Sequence, residues 1–428
     1  MTPRLVMIDD NIQDASGHYL ELAQLLGDAA SKRGMNPILA TNKSFAATQT
    51  SDSLDVRPLF CTNGMVRWSL GANGLSHCQR DLSGKPINAV TASLLSERFR
   101  EFLRPANRRP RWMLRHWKTA FIQFIDYLGI TESDQIIVNT SDEFTLLAIA
   151  SALRLRNDKR LNLHLIFHFS VNDEATGAGR NRNLNMGKQI KDSLKHLEHH
   201  HVRIHATTRE LKADLDSVTQ RDLVNSIPYP TRPSLLAEGF QQTPCKATLA
   251  GMPRTEKGKH LIGKFLANLE EHELINSNRF RPSLQVSERQ ALSMLPPSLK
   301  SQGGIERIEL ITRHLPTDQY HQWLNETGIG IFLYDPTRYR TRCSGVLLEM
   351  MCRGIPVIVP DNCWLSSQLN LAGGHESVGY IYQDQDKIPL FLRHFLEEKE
   401  SMTERARAYA MKLRAIHSAE MTLTSMGI

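Results

Sequence analysis

The densest run of chemically useful residues lies between Tyr334 and Pro360, YDPTRYRTRCSGVLLEMMCRGIPVIVP. A strand over Ile329–Leu333 runs into a polar loop holding Arg340 and Arg342. Ser344-Gly345 then opens an apolar helix over Val346–Cys352, Gly354 ends it, and Ile355–Val359 forms the next strand. The free N–H groups at such a helix start attract an anion. Ser344 can cap the helix, Gly345 lets a phosphate approach the backbone, and Val346 follows at the same start. Glu349, about one turn further on, can accept hydrogen bonds from a ribose diol. The same residues also suit a capped, buried crossover with Glu349 at the surface, and the pattern alone leaves both open.

A second candidate is Ala250–Gly258, AGMPRTEKG. Arg254 and Lys257 sit three apart in a loop punctuated by Gly and Pro. An Arg fork and a Lys point charge both suit phosphate, although an ordinary basic turn looks the same. A third is Asp9–Tyr19, DDNIQDASGHY, where Gly17-His18 falls at the start of a helix. A fourth is Phe167-His168-Phe169-Ser170 at a strand end; His168 is either a polar group facing a ligand or a satisfied core histidine. His196, His199, His200 and His201 have helical spacing, but no carboxylate or cysteine completes a metal set, so no metal is expected.

Positioning these residues requires a regular scaffold. Short apolar runs at Leu5–Ile8, Pro37–Ala40, Ile136–Val138, Leu163–Phe167 and Val202–Ala206 alternate with helical patterns near Tyr19–Arg33 and Phe144–Leu155. Ser141 and Asp142 are possible caps for the second helix. Residues 50–110 read as an insertion. Ile227-Pro228-Tyr229-Pro230-Thr231-Arg232-Pro233 breaks the pattern and reads as a linker. A second series follows at Ala247–Ala250, Leu284–Val286, Ile308–Ile311, Ile329–Leu333 and Pro356–Val359. From about Ile388 the chain is helical and charged. The expected organisation is therefore an N-terminal domain over 1–228, a C-terminal domain over 229–387 and a helical tail over 388–428. Strand–helix alternation implies parallel sheets, which bind ligands at the carboxyl ends of their strands.

Composition narrows the class. With 428 residues, 41% hydrophobic and 23% charged, the chain has the profile of a globular protein with more than one core. The formal charge of +7 suits an anionic partner without choosing one. Cys61, Cys78, Cys245, Cys343, Cys352 and Cys363 are scattered without a C-x-x-C pair, so a reducing cytoplasm is expected. No apolar run reaches the ~18–20 residues of a membrane span, and the start of the chain lacks a signal-peptide pattern.

Tyr339–Val359, Y-x-x-R-x-S-G-V-L-L-E-x-x-x-x-G-x-P-V-I-V in outline, resembles the donor motif of the retaining GT-B glycosyltransferases related to sucrose synthase and glycogen synthase. The GMPRTEKG loop, the Pro-rich linker and the helical tail resemble the same family. That resemblance implies an α/β fold of two Rossmann-like domains with parallel sheets facing across a cleft. It implies transfer of a sugar from a nucleotide-sugar donor to a saccharide or lipid-linked acceptor with retention, without metal or other cofactor. Arg254 and Lys257 match the cations on the donor diphosphate. Ser344, Gly345 and Val346 match the helix start under the phosphates, with Arg342 beside them. Glu349 matches the acid that holds the ribose, and His168 the histidine near the sugar. Where the family has a first glutamate, this chain has Thr341, which leaves the sugar open. A nucleotide-sugar epimerase and a non-catalytic binding protein share the architecture.

Arg104–Lys118, RPANRRPRWMLRHWK, has Arg104, Arg108, Arg109, Arg111, Arg115 and Lys118 and no acid, with Trp112 and Trp117 interleaved. That pattern suits peripheral contact with an anionic membrane on its inner, cytoplasmic face. It also suits a core helix with solvated arginines, given Phe121, Phe124, Ile125 and Leu128 at helical spacing. Nucleic acid is not expected as a partner, because the basic residues lack an RNA-binding aromatic motif.

Overall fold

The computed structural model describes residues 2–14, 18–45, 54–63, 109–154, 156, 158–169, 179–219, 224–313 and 315–428. Gly17, Ser170, Arg104, Arg108 and residues 64–108 of the expected insertion lie outside them. The chain forms two compact units. The first runs to Pro230 and takes in Ala419–Ile428, and the second spans Thr231–Ser418.

In the first unit the elements are β1 (Arg4–Ile8), α1 (His18–Lys32), β2 (Asn36–Asn42), β3 (Asp55–Phe60), α2 (Arg109–Leu128), β4 (Gln135–Ser141), α3 (Glu143–Leu153), β5 (Asn162–Phe167), α4 (Gly179–Lys195), β6 (His201–Ala206), α5 (Arg209–Thr219) and β7 (Val224–Ser226). The seven strands lie in the order β3-β2-β1-β4-β5-β6-β7, all parallel. The central strands are continuous apolar runs because both sheet faces are covered: Leu5, Val6, Met7 and Ile8 are all fully buried. α3 is apolar on every side and buried throughout. Asp142 starts it with a capping box, its carboxylate accepting from Thr145 N while the Thr145 hydroxyl accepts from Asp142 N. α2 turns Trp117 into the core, stacked on Phe60 at 5.0 Å and Phe121 at 5.8 Å, whereas Trp112 is half-buried and Arg115 exposed. The apolar spacing of this helix thus serves packing at Trp117, Phe121, Phe124 and Ile125. No helix among the described residues is long and apolar enough to cross a membrane.

The second unit contains β8 (Cys245–Leu249), α6 (Ile262–Glu271), β9 (Phe280–Gln285), α7 (Glu288–Met294), α8 (Gln302–Ile305), β10 (Glu309–Ile311), α9 (Thr317–Asn325), β11 (Ile329–Ile331), α10 (Gly345–Met351), β12 (Val357–Pro360), α11 (Trp364–Leu371), β13 (Gly379–Tyr382) and α12 (Ile388–Ile416). Its six strands are parallel in the order β10-β9-β8-β11-β12-β13. α12 carries Pro at its first turn, where the missing N–H is no loss. The last helix, α13 (Ala419–Met426), belongs to the first unit. There Arg33 donates to the Glu420 carbonyl at 2.7 Å and to Thr424 Oγ1 at 2.6 Å, and the Thr422 hydroxyl donates to the Pro228 carbonyl. Residues 388–428 thus divide between the two units.

The first sheet changes direction between β1 and β4, and a buried polar cluster occupies their carboxyl ends. Asp9 and Asp10 are 1% and 3% exposed. Asp9 accepts from Asn11 N, Asn11 Nδ2 and the Thr140 hydroxyl; Asp10 Oδ2 accepts from the Thr62 hydroxyl. Burial, and then the neighbouring Asp10, push the Asp9 carboxyl up to about 7, against the three hydrogen bonds that favour its ion. A carboxyl raised in the folded state holds its proton where the unfolded chain has lost it. Stability therefore falls as pH rises from about 4 to about 7 and levels off above. We expect Asp9→Asn, which keeps the acceptor oxygen and removes the charge, to melt higher than the parent at pH 8, with the gap closing toward pH 4. Equal melting differences at both pH values, measured by calorimetry, would contradict a buried charge at Asp9.

Candidate functional site

The second sheet changes direction between β8 and β11, the place where an open parallel sheet leaves a crevice at its carboxyl edge. Two loops leave from here. The first, from Ala250 to Gly258, turns at Gly251 (φ +86°) and closes at Gly258 (φ +73°) after a 3-10 turn over Thr255–Lys257. The Lys257 and Lys259 amides both donate to the Arg254 carbonyl. The second, from Phe332 to Ser344, is tied to the first by the Asp335 amide, which donates to the Glu256 carbonyl at 3.0 Å. Gly258 packs directly on the start of the second loop: a Cβ there would stand 1.9 Å from the Leu333 carbonyl oxygen. Only glycine combines that approach with a left-handed backbone.

This closure fixes Lys257. Its ammonium lies over the Tyr334 ring, 5.5 Å from the centroid, and a Cβ on Gly251 would be 2.7 Å from its Nζ and 4.0 Å from Val346 Cγ2. Lys257 thus reaches the start of α10. Desolvation lowers its pKa, and Arg254 and Arg342 lower it further, against favourable Tyr339 and Glu256. The cation cluster is under-neutralised by its own surroundings. Arg342 stands over the Tyr339 ring at 5.4 Å, and Tyr339 packs on Tyr334 at 4.5 Å. Burial raises both tyrosines, so each stays a neutral phenol beside the cations. The cavity behind Lys257, walled by Leu249, Pro253, Ile331 and Tyr334, is about 20 Å³, room for a single water; a larger anion must meet the cations from the open side.

Ser344 is buried and caps α10, its hydroxyl accepting from Leu347 N at 3.3 Å. Gly345 is the first residue of α10, and Val346 the wall beside Gly251. Glu349 is half-buried near the far end of the helix, and its Oε2 accepts from the Tyr320 hydroxyl at 2.9 Å. Thr341 is 2% exposed. The structure therefore gathers Arg254, Lys257, Arg342, Ser344, Gly345, Val346 and Glu349 within the second unit, at one edge of its sheet. His168 and His18 lie in the first unit. His168 Nε2 donates to the Asn139 carbonyl at 2.6 Å and its ring meets Tyr229 edge-on. His18 opens α1, exposed, with its ring 4.6 Å from Tyr19. Of the histidine cluster, His200 Nδ1 accepts from Leu161 N, a packing role.

Sequence reasoning missed Tyr320, His321 and Arg353, which surround Glu349, and the Asp9–Asp10 cluster. Tyr320 and His321 sit on α9, outside any motif, and no local signal marks them. The adjacent carboxylates after the first strand were visible in the sequence, and their burial was the missing fact.

No family model matches the sequence, and no curated protein matches it. Solved structures do resemble it. Sucrose-phosphate synthase from Thermosynechococcus elongatus has a TM-score of 0.63 at 14% identity, with 99% of this chain and 97% of that chain covered. A UDP-forming α,α-trehalose-phosphate synthase from Burkholderia vietnamiensis has 0.62 at 11%, covering 99% and 100%. WaaG, a glycosyltransferase involved in lipopolysaccharide biosynthesis, has 0.58 at 12%, covering 98% and 99%. With its two parallel-sheet units, the chain has the two-Rossmann-like architecture of the GT-B fold.

Gly258→Ala tests the loop closure. A left-handed alanine alone costs about 1–2 kcal/mol, and the methyl meets a backbone carbonyl that cannot swing away. A loss of at least that size is expected in denaturant titration. Gly251→Ala meets only the flexible end of Lys257 and should lose less. Equal stabilities for the two variants would contradict the packing of Gly258 on Leu333.

Proposed function

We propose that the chain is a glycosyltransferase that moves a sugar from a nucleoside-diphosphate sugar to the hydroxyl of a saccharide or lipid-linked acceptor, with retention of configuration and without a metal. The carrying observation is Lys257, half-buried over the Tyr334 ring with Arg254 and Arg342 acting on it, at the switch point of the second sheet. Clustered cations of this kind gain most from a dianionic group that neutralises several of them at once. A nucleoside diphosphate is that group, and one of the similar structures is of a UDP-forming trehalose-phosphate synthase.

In this reading Arg254 and Lys257 grip the diphosphate, and Arg342 adds a third positive charge. As the bond from the anomeric carbon to the phosphate oxygen breaks, negative charge grows on the leaving group, where fixed cations already stand. The acceptor oxygen bonds to the anomeric carbon on the same face, and its proton passes to the departing phosphate. Three side-chain cations supply the neutralisation that a metal ion provides elsewhere. Val346 walls the site beside Gly251, Ser344 and Gly345 set the start of α10, and Glu349 accepts the ribose hydroxyls. The first unit serves the acceptor, with His168 near the transferred sugar and His18 at the start of α1.

Incubation with UDP-, ADP- and GDP-sugars and a panel of sugar acceptors tests the proposal. Acceptor-dependent release of nucleoside diphosphate, with a retained anomeric centre by NMR and no loss in EDTA, is expected. An altered sugar formed without acceptor would establish an epimerase instead, and binding without turnover a non-catalytic protein. Lys257→Met should remove about 1.5–3 kcal/mol of diphosphate binding, the range of a charge-assisted hydrogen bond. A lysine whose pKa is lowered weakens the folded state wherever it is charged, so the free variant should melt no lower than the parent at pH 7. Undiminished diphosphate affinity in this variant would remove Lys257 from the site.

A further inference from the structure

Glu349 does not stand alone at the end of α10. The Tyr320 hydroxyl donates to its Oε2 at 2.9 Å. Four residues on, Arg353 is 2% exposed, a fully buried guanidinium. Its Nη1 donates to the Glu349 carbonyl at 2.8 Å, its Nε to Asn325 Oδ1 at 3.0 Å and its Nη2 to His321 Nδ1 at 2.7 Å. Tyr320, His321 and Asn325 all come from α9, which therefore holds both the backbone and the carboxylate of Glu349. α9 is itself anchored: Trp323 Nε1 donates to Ser283 Oγ on β9 at 2.7 Å, and the Thr327 hydroxyl just beyond the helix donates to Thr248 Oγ1 on β8 at 2.9 Å. The Tyr320 ring is braced by His321 at 5.5 Å and Trp323 at 6.1 Å.

A glutamate has three rotatable bonds, and a carboxylate that must meet a diol in one geometry gains from being held there beforehand. The Tyr320 hydroxyl does this without consuming the group, because a carboxylate offers about four lone-pair sites and the phenol takes one. Burial and the adjacent Glu349 push the Tyr320 phenol far above its ordinary range, so it remains a donor at every pH where the protein works.

We propose that Tyr320 is a positioning residue that aims the Glu349 carboxylate at the ribose hydroxyls of the donor, making the site selective for ribonucleotides. This rests on Glu349 holding the ribose, and the experiment separates the two claims. Titrate the parent and Tyr320→Phe calorimetrically with UDP, ADP and GDP, and with the 2′-deoxy and 3′-deoxy forms of whichever binds. Tyr320→Phe should weaken the ribonucleoside diphosphate about 3–10-fold, the size of one lost hydrogen bond. It should leave affinity for at least one deoxy form unchanged, raise the donor KM more than it lowers kcat, and leave the melting temperature near that of the parent. In a Glu349→Gln background the same substitution should add little. A parent that binds ribo and deoxy forms equally overturns the ribose role of Glu349, and the inference with it. A parent that prefers ribose while Tyr320→Phe keeps the full preference overturns the inference alone. Equal weakening of all nucleotides by Tyr320→Phe makes Tyr320 a merely structural residue and overturns it as well.

Discussion

The approach of Gly258 to the Leu333 carbonyl sets the geometry of the whole candidate site. Two loops leave adjacent strands at the switch point, and without a fixed distance between them their side chains would not meet. A residue with no Cβ, in a left-handed conformation, lets one loop lie against the start of the other, and the hydrogen bond from the Asp335 amide to the Glu256 carbonyl locks the pair. Lys257 is then carried over Tyr334 and beside Gly251, which also neighbours Val346 at the start of α10. The cations are a consequence of that contact: their neighbourhood is set by backbone packing before any ligand arrives.

The arrangement stores electrostatic tension. Lys257 is desolvated beside two arginines, while the nearby tyrosines are held neutral. A site of this kind weakens the free protein slightly and is relieved by an anion, which is how preorganised charge favours a leaving group over water. At the other end of α10 the opposite holds. The buried Arg353 has an acceptor on each of its three nitrogens, and those groups lie on α9 and in Glu349 itself. One end of the helix is poised, and the other is tied to α9 through all three guanidinium nitrogens.

Much of this was legible in the sequence. Apolar runs marked β1, β2, β4, β5, β6, β8 and β12 within a few residues, because buried parallel strands are nearly continuous in Val, Ile and Leu. The Ser-Gly start and the Gly stop bracketed α10 correctly, since caps act through local hydrogen bonds. The strands β3, β7 and β13 escaped notice: DVRPLF, inside the segment read as an insertion, VNS and GYIY lack the aliphatic runs that marked β10, β11 and β12, and their pairing is decided by the neighbouring strand. Around the site, most residues of the two motifs were found, but Arg353 inside the second motif and its partners on α9 were not. The contact of Tyr320 with Glu349 spans 29 positions and exists only because β9 and β8 anchor α9 in place. The tryptophans of α2 show the limit of reading charge and aromatics together: Trp117 is spent on the core, stacked between Phe60 and Phe121.

The central claim is that the loop over 250–258 and the segment over 344–353 together bind the nucleoside diphosphate. Hydrogen exchange of the intact chain, with and without a saturating nucleoside diphosphate, tests it most directly. Slowed exchange is expected in both segments at once, because the ligand would bridge the cations of the first and Glu349 in the second. Binding that protects neither segment, or protects only peptides elsewhere in the second unit, would contradict it.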